Sequence, residues 1–327
     1  SRVQLRVALE LDGERLPSQR ADIAALGAAE LVFPLQVEES GAHALMAVLE
    51  NDGLVIDDLR PAVVSVPPPT QILVVNGASA PRIVDDEVGY LMAVLQPPQE
   101  GAHALGAPAA GFDPREIGPE DLGSPETELA SFDVIVLANV AASYLTPAVI
   151  ESLEAAVARG AGLFLTVGDR VAGDGLSFPW NEKLFRPDGS GLLPAELSRQ
   201  VSVSARREGY FRVREFDQDH PVLAFFADDL WKPFLTQAPV YEFLACQPLA
   251  DARVLARLDD EAGSPLLVER RYDQGRVYLW TSTIDRAWTF LPESPRTFIP
   301  LMHELLRHAG SRTRADRNLA PGEPIVL

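Results

Sequence analysis

One stretch, residues 132–169, constrains the fold more than any other part of the chain: FDVIVLANVAASYLTPAVIESLEAAVARGAGLFLTVGD. Residues 132–138 are a short apolar run rich in β-branched side chains, which is typical of a strand buried on both faces of a parallel sheet. Thr146 can then cap a helix that Pro147 opens and Gly160 ends. Residues 163–167 are a second apolar run. The stretch therefore predicts a strand, a helix and a second, parallel strand.

Polar residues follow the predicted strands of this region. Because open α/β sheets bind ligands beyond the carboxyl ends of their strands, these residues are candidates for a ligand crevice. Asp169 and Arg170 together could orient a small polar ligand, or they could cap a helix and neutralise each other after a tight turn at Gly168. The predicted crevice residues are Asn76, Gly77, Asn139, Gly168, Asp169, Arg170, Thr283, Asp285 and Trp288.

Residues 1–67 are predicted to form a small all-β domain. Polar and apolar residues alternate at 2–9, Asp12 and Gly13 supply a turn, and further apolar runs follow at 29–37, 43–49 and 62–66. This spacing of strands and turns is typical of an immunoglobulin-like β-sandwich. Three prolines at 67–69 predict a stiff junction to the next domain.

Residues 70–310 are predicted to form an α/β domain, because strand-like and helix-like patterns alternate there. A three-residue turn at 273–275 should place Gly275 at a positive φ. Residues 311–327 are a tail that resembles the start of a truncated further segment, and the chain begins at Ser1 inside a strand pattern, so we expect a fragment of a longer protein. The other elements predicted here are a strand at 71–76, a helix at 85–95, one short strand within 97–130, a long loop at 170–200, strands at 201–205, 241–245, 253–258, 265–272 and 276–281, and a helix at 298–309.

Composition excludes several classes of partner and site. The net charge is −19 and no basic patch interrupts it, so neither nucleic acid nor an anionic membrane surface is expected as a partner. Cys246 is the single cysteine, which excludes an intrachain disulfide or a cage of thiolates around a metal. No apolar run approaches the ~18 residues of a membrane span.

The common catalytic motifs are missing from the sequence. His303 and His308 are five residues apart, which rotates one imidazole roughly 140° from the other around a helix, so they cannot share an ion as neighbours on one helix face. There is no Gly-x-Ser-x-Gly elbow and no glycine-rich phosphate loop with a lysine. We therefore expect no metal ligand set and no cofactor.

The order of the segments resembles the extracytoplasmic part of BatA-like bacterial membrane proteins, over most of residues 1–310. These proteins have membrane helices, an immunoglobulin-like sandwich and a domain with the fold of class I glutamine amidotransferases. The segments that carry the resemblance are QILVVNG, FDVIVLANV, TPAVIESLEAAVARGAGLFLTVGD, WNEKLF, GLLPAEL, PLLVERRYDQGRVYLWTSTIDRAW and FIPLMHELLRHA.

This resemblance implies a Rossmann-like amidotransferase fold that lacks its catalytic residues. The family's nucleophilic cysteine would stand on the turn after residues 163–167, where this chain has Gly168 and Asp169, and no histidine follows residues 276–281. The implied function is a non-catalytic interaction module, anchored to the bacterial membrane and facing the periplasm, whose partners are other envelope or Bat-type proteins. The alternative is a hydrolase or carbohydrate-acting enzyme that uses Asp169, Asp285 and His220 with a bound metal.

Overall fold

The computed structural model describes residues 2–24, 27–35, 37, 39–49, 58–96, 111–173, 177–203 and 209–311. It divides into two compact units, one containing Ser1–Pro69 and the other Thr70–Arg312. Among the helices of these described residues, none is both long and apolar enough to cross a membrane. The predicted tail lies outside the described residues after Ser311.

The described part of the first unit is one antiparallel sheet. A tight turn at Asp12 and Gly13, both with positive φ, joins the first two strands as predicted. The prediction of a strand within 29–37 is wrong for the described residues 29–35, where Pro34 lacks the N–H that a strand ladder needs. A β-sandwich needs a second sheet packed on the first, so the immunoglobulin-like sandwich stays a prediction. The strands are β1 (Arg2–Leu11), β2 (Glu14–Arg15), β3 (Gln19–Ala24), β4 (Gly41–Leu49) and β5 (Leu59–Val66).

In this sheet β1 holds the other strands together. β3 pairs with its first half, from Arg2 to Val7, and β4 pairs with its second half, from Val7 to Leu11. β2 joins the end of β1 through the turn, and β5 lies on the far side of β4. All these pairs are antiparallel. β1–β2 and β4–β5 join strands that follow each other in the chain, whereas β1 also pairs with β3 and with the more distant β4.

An eight-stranded mixed sheet is the centre of the second unit. Its order is β11-β13-β14-β15-β9-β8-β6-β7, in which the five strands from β15 to β7 are parallel and the rest antiparallel. β10 and β12 form a separate two-stranded sheet. The strands are β6 (Thr70–Asn76), β7 (Phe112–Ile117), β8 (Val134–Ala138), β9 (Gly162–Thr166), β10 (Ala195–Ser202), β11 (Val213–Phe216), β12 (Glu242–Pro248), β13 (Arg253–Leu258), β14 (Pro265–Tyr272) and β15 (Gly275–Trp280).

Helices cover both faces of this sheet. On β8, Val134 and Val136 face one core together with α1 and α5, whereas Ile135 and Leu137 face a second core together with α2. This alternation gives three layers, with helices on both sides of the sheet. The helices are α1 (Gly89–Leu95), α2 (Pro147–Ala158), α3 (Asp169–Ala172), α4 (Lys232–Thr236) and α5 (Pro295–Gly310).

The strand, helix and strand predicted within 132–169 are confirmed as β8, α2 and β9. The Thr146 hydroxyl accepts a hydrogen bond from the Val149 amide at 3.3 Å, Pro147 opens α2, and Gly160 follows it at a φ of 108°. β8 and β9 are adjacent and parallel. The capping signals in the sequence therefore give both ends of this helix.

Other predictions need correction. The loop predicted at 170–200 contains part of α3, and the strand predicted at 201–205 begins earlier, at Ala195, where β10 pairs with β12. The helix predicted at 85–95 begins only at Gly89, because the Asp86 carboxylate accepts hydrogen bonds from the Ala80 and Val88 amides and holds the chain in a loop. In the turn between β14 and β15, the positive φ belongs to Asp273. Gly275 is required instead because a Cβ there would overlap backbone oxygens of α2 and its C-terminal turn.

Candidate functional site

Three parallel strands end side by side at one edge of the sheet. In their register, Asn76 of β6 pairs with Ala138 of β8, which pairs with Thr166 of β9. After β6 the chain adds β7 on one side of it and then β8 on the other side. The strand order therefore reverses between β6 and β8. Such a switch point is where open α/β sheets bind ligands. The residues that follow these strands define the candidate crevice.

Asn139 is the residue that joins the crevice together. It has a φ of 50°, which is uncommon outside glycine, and only 2% of its surface is exposed. Its side-chain Nδ2 donates hydrogen bonds to Glu87 Oε2 at 3.1 Å and to Asp169 Oδ1 at 2.8 Å, while its Oδ1 accepts one from the Arg170 amide at 3.0 Å. One amide group therefore links two carboxyl groups and the start of α3.

The two glycines predicted for the crevice make room for this asparagine. A Cβ on Gly168 would lie 2.5–2.7 Å from the side-chain atoms of Asn139, closer than van der Waals contact permits. A Cβ on Gly77 would overlap the Asn139 carbonyl group. The space above Gly168 is therefore occupied by the Asn139 side chain.

Glu87 belongs to the crevice although the sequence analysis missed it. It is 2% exposed, and burial raises the pKa of its carboxyl group to about 8, with a further contribution from the negative charge of Asp285. The hydrogen bond from Asn139 opposes this shift, and so does the backbone amide of Ile284. Oε1 has no hydrogen-bond partner among the described residues. At neutral pH the group is therefore mostly protonated.

Asp285 is the third carboxyl group of the crevice and follows β15. It is 7% exposed, and burial raises its pKa, as does the charge of Asp169. Its Oδ1 accepts a hydrogen bond from the Ala287 amide at 2.9 Å, and the Thr283 hydroxyl accepts one from the Trp288 amide at 3.2 Å. Thr283 and Asp285 thus shape this loop, and the Trp288 side chain is buried in the core that contains α2.

The other predicted residues have different surroundings. The Asn76 side chain donates to the Asp86 carboxylate at 3.1 Å and to Glu116 Oε1 at 2.8 Å, so it fixes the loop before α1. The backbone amide of Arg170 donates a hydrogen bond to Asn139, and the residue itself is exposed to solvent. The structure therefore brings together Gly77, Asn139, Gly168, Asp169 and Asp285, and Glu87 joins them.

Ser282 and Cys246 carry the hydroxyl and the thiol to be considered as possible nucleophiles. The Ser282 hydroxyl donates a hydrogen bond to the Glu242 carbonyl at 2.7 Å. The turn after β9 carries Gly168 and Asp169, neither of which has a hydroxyl or thiol group. Cys246 lies in β12, where burial raises the pKa of its thiol to about 12. Neither group has the activation that a serine or cysteine nucleophile needs, because the Ser282 hydroxyl is bonded to a carbonyl and the Cys246 environment disfavours the thiolate.

His220, which the alternative hypothesis combined with Asp169 and Asp285, belongs to a different group. Its Nε2 contacts Glu269 Oε2 at 3.0 Å, and its ring centroid lies 5.0 Å from that of His308. Burial and the Arg276 charge lower the pKa of His308 to about 4, and the pKa of Glu269 is lowered to about 2 because hydrogen bonds from His220 and Tyr278 outweigh the opposing effect of burial. His303 instead contacts the Val94 carbonyl and the Phe112 ring.

Comparisons with known proteins bear on the fold. No protein-family model matches the chain, and no curated protein matches it. Among solved structures, cytoplasmic protein STM3548 from Salmonella typhimurium is similar with a TM-score of 0.53 and 17% identity, over 73% of this chain and 98% of that one. Cytoplasmic protein STM1381 from Salmonella typhimurium LT2 gives a TM-score of 0.51 and 16% identity, over 83% of this chain and 96% of that one.

A glutaminase domain is also among the similar structures. It is that of Trypanosoma brucei CTPS with bound acivicin, at a TM-score of 0.37 and 9% identity, over 77% of this chain and 98% of that one. This score is too low to support an argument. The two Salmonella structures, at such low identity, establish similarity of fold alone: the chain has a mixed α/β fold with a sheet that contains parallel strands.

Proposed function

We propose that this chain is a non-catalytic interaction module in which the crevice of an amidotransferase-like domain no longer supports a covalent reaction. One observation carries the proposal: the Asn139 side chain occupies the space above Gly168, on the turn where an amidotransferase would place its nucleophile. A longer side chain at position 168 would collide with it. The carboxyl groups around Asn139 then serve binding or stability.

The proposed setting is the periplasmic side of a bacterial membrane, where the parent protein is BatA-like. In this setting the first unit is an immunoglobulin-like sandwich, the second is a degenerate amidotransferase-like domain, and the partners are envelope or Bat-type proteins. The genomic region tests this part directly. We expect flanking segments that encode membrane helices and a neighbouring gene for a MoxR-type ATPase. A complete reading frame without membrane helices would contradict it.

Activity measurements test the absence of catalysis. The purified chain and its Asp169→Ala and Glu87→Gln variants are incubated with glutamine, p-nitrophenyl esters and p-nitrophenyl glycosides at pH 5, 7 and 9. We expect rates equal to those of buffer for all three proteins. Hydrolysis by the native chain that falls at least 10-fold in either variant would overturn the proposal.

A second function is favoured by Glu87 alone. A buried carboxyl group with a pKa of about 8 is protonated at neutral pH and can act as a general acid, which glycosidases require. In that case a hydrolase would use Glu87 as the acid and Asp169, whose residue surface is exposed, as the second carboxylate. A rate that decreases above about pH 8 and disappears in Glu87→Gln would distinguish this enzyme from the interaction module.

A further inference from the structure

Two imidazoles and one carboxylate from distant parts of the chain converge beside the mixed sheet. His220 precedes the short helical turn Ala224–Ala227, Glu269 lies on β14, and His308 lies near the end of α5. Each offers one donor atom, and these atoms all lie within 4.8 Å of one another. Among the described residues, no other set of three histidine, cysteine or acidic side chains has its donor atoms this close together.

The distances are close to those that a small ion requires. His220 Nε2 lies 3.0 Å from Glu269 Oε2, and His308 Nδ1 lies 4.0 Å from Glu269 Oε1. A tetrahedral zinc ion with bonds of about 2.0–2.1 Å separates its donor atoms by roughly 3.3 Å. These two contacts end on different oxygens of the Glu269 carboxylate, and the three donor atoms, one from each residue, are up to 4.8 Å apart. The side chains must therefore move closer together by up to roughly 1.5 Å to surround the ion.

We propose that His220, Glu269 and His308 together bind one divalent transition-metal ion of the zinc type. Two histidines and a glutamate are a donor set that zinc uses in proteins, and imidazole nitrogens favour zinc, copper and nickel over magnesium or calcium. This site is separate from the crevice around Asn139, and it does not depend on the function proposed above.

The hydrogen bonds of the metal-free group show which protons must move. The His220 Nδ1 accepts a long hydrogen bond of 3.3 Å from the Val222 amide, so Nε2 carries the proton that is donated to Glu269. Metal binding at Nε2 transfers this proton to Nδ1 and breaks the Val222 contact. The tautomer changes, but the imidazole neither gains nor loses a proton overall.

The Tyr278 hydroxyl lies between two of the proposed ligands. Its hydroxyl is 2.7 Å from Glu269 Oε1 and 2.6 Å from His308 Nδ1, yet it has a single proton to donate. If Glu269 accepts that proton, His308 Nδ1 donates to the tyrosine oxygen. His308 must then move its proton to Nε2 before Nδ1 can bind the ion. The tyrosine therefore holds the ligands in place without the ion and remains close to it afterwards.

The surroundings orient the carboxylate and leave an entry path. Arg276 Nε lies 3.5 Å from Glu269 Oε1, which fixes the carboxylate but also places a positive charge near the ion and weakens its binding. His220 is 2% exposed. The side chains of His308 and Arg276 are 18% and 27% exposed, so an ion can enter from the side of α5.

Metal titration of the whole chain without an affinity tag tests the site. After dialysis against EDTA and then metal-free buffer, Zn²⁺ binding is followed by calorimetry and Co²⁺ binding by visible absorption. We expect one ion per chain, the intense absorption of tetrahedral cobalt, and a rise in melting temperature, because the ion links three distant segments. His308→Gln and His220→Gln should each weaken binding by at least about 10-fold.

His303→Gln is the matched control, since His303 lies on the same helix and contacts Val94 and Phe112 instead. This variant should bind like the native chain and show the same rise in melting temperature. Circular dichroism shows whether each variant is folded. If a variant fails to fold, the cobalt spectrum of the native chain still tests the site. A native chain without saturable binding, or equal loss of affinity in His303→Gln and His308→Gln, would overturn the proposal.

Discussion

Glu87 is enclosed by protein, and its surroundings disfavour the negative charge of its carboxylate. The pKa of about 8 in the folded chain lies above the ordinary value of 4.5, so the folded state binds this proton more tightly than the unfolded state does. The resulting contribution to stability is complete below about pH 4.5 and is lost as the pH rises to about 8. Its full size is on the order of 5 kcal/mol.

Glu87→Gln should remove this pH dependence. The variant keeps an oxygen to accept the hydrogen bond from Asn139 but has no proton to lose, so it should be more stable than the native chain at pH 8.5 and similar to it at pH 5. Urea unfolding at the two pH values measures the difference. Glu151→Gln, a matched change on the exposed side of α2, should show no such effect. Parallel pH profiles for the native and Glu87→Gln chains would contradict the burial argument.

At the scale of single residues, the sequence predicts part of the crevice. Asn139, Gly168 and Asp169 follow apolar strands, so the pattern indicates where they lie. Glu87 carries no comparable signal, because its position depends on a loop that Asp86 holds through the Ala80 and Val88 amides. Such contacts between side chain and backbone are set by tertiary structure, and local periodicity does not reveal them.

Among the elements, α2 shows the strongest agreement between sequence and structure. Thr146→Ala should lose the hydrogen bond to the Val149 amide and lower the free energy of unfolding by about 1 kcal/mol. Thermal or urea unfolding measures this change. Ser152→Ala is the control, because that exposed hydroxyl bonds a carbonyl within the same helix. An equal loss of stability in both variants would mean that the cap contributes nothing specific.

Other elements could be located only approximately from the sequence. The strand prediction was wrong for the described residues 29–35, and β3 at Gln19–Ala24 was missed. Short β segments with mixed polarity owe their conformation to the strand they pair with, as β3 does to β1. For α5 the apolar positions Phe298, Leu301 and Leu305 are buried as their helical spacing predicts. Long periodic segments are thus predictable, and short edge segments are not.

For the whole molecule, the sequence predicts an α/β class but not the order of the strands. β15 pairs with β9 although more than a hundred residues separate them, and it pairs with β14 in the opposite direction on its other edge. Apolar runs indicate that strands exist, whereas their partners depend on the path of every connection between them. The group of His220, Glu269 and His308 was missed for the same reason.

The second unit should fold without the first. Its eight-stranded sheet, its two-stranded sheet and both of its cores are formed by residues of the second unit alone. A chain of residues 70–311 should therefore give a cooperative thermal transition by circular dichroism, at a melting temperature within a few degrees of the corresponding transition in the full chain. A broad, non-cooperative transition in residues 70–311 would show that the first unit is required.

Cys246 has a practical consequence for measurements on the intact protein. It is the one cysteine of the chain, and burial raises the pKa of its thiol to about 12. Alkylating dyes react with the thiolate, so this residue contributes little to labelling at neutral pH. A cysteine introduced at Leu230, which is 72% exposed, would carry the dye selectively. Cys246 itself is partly exposed, so the native chain without the added cysteine is the control that measures its share of the label.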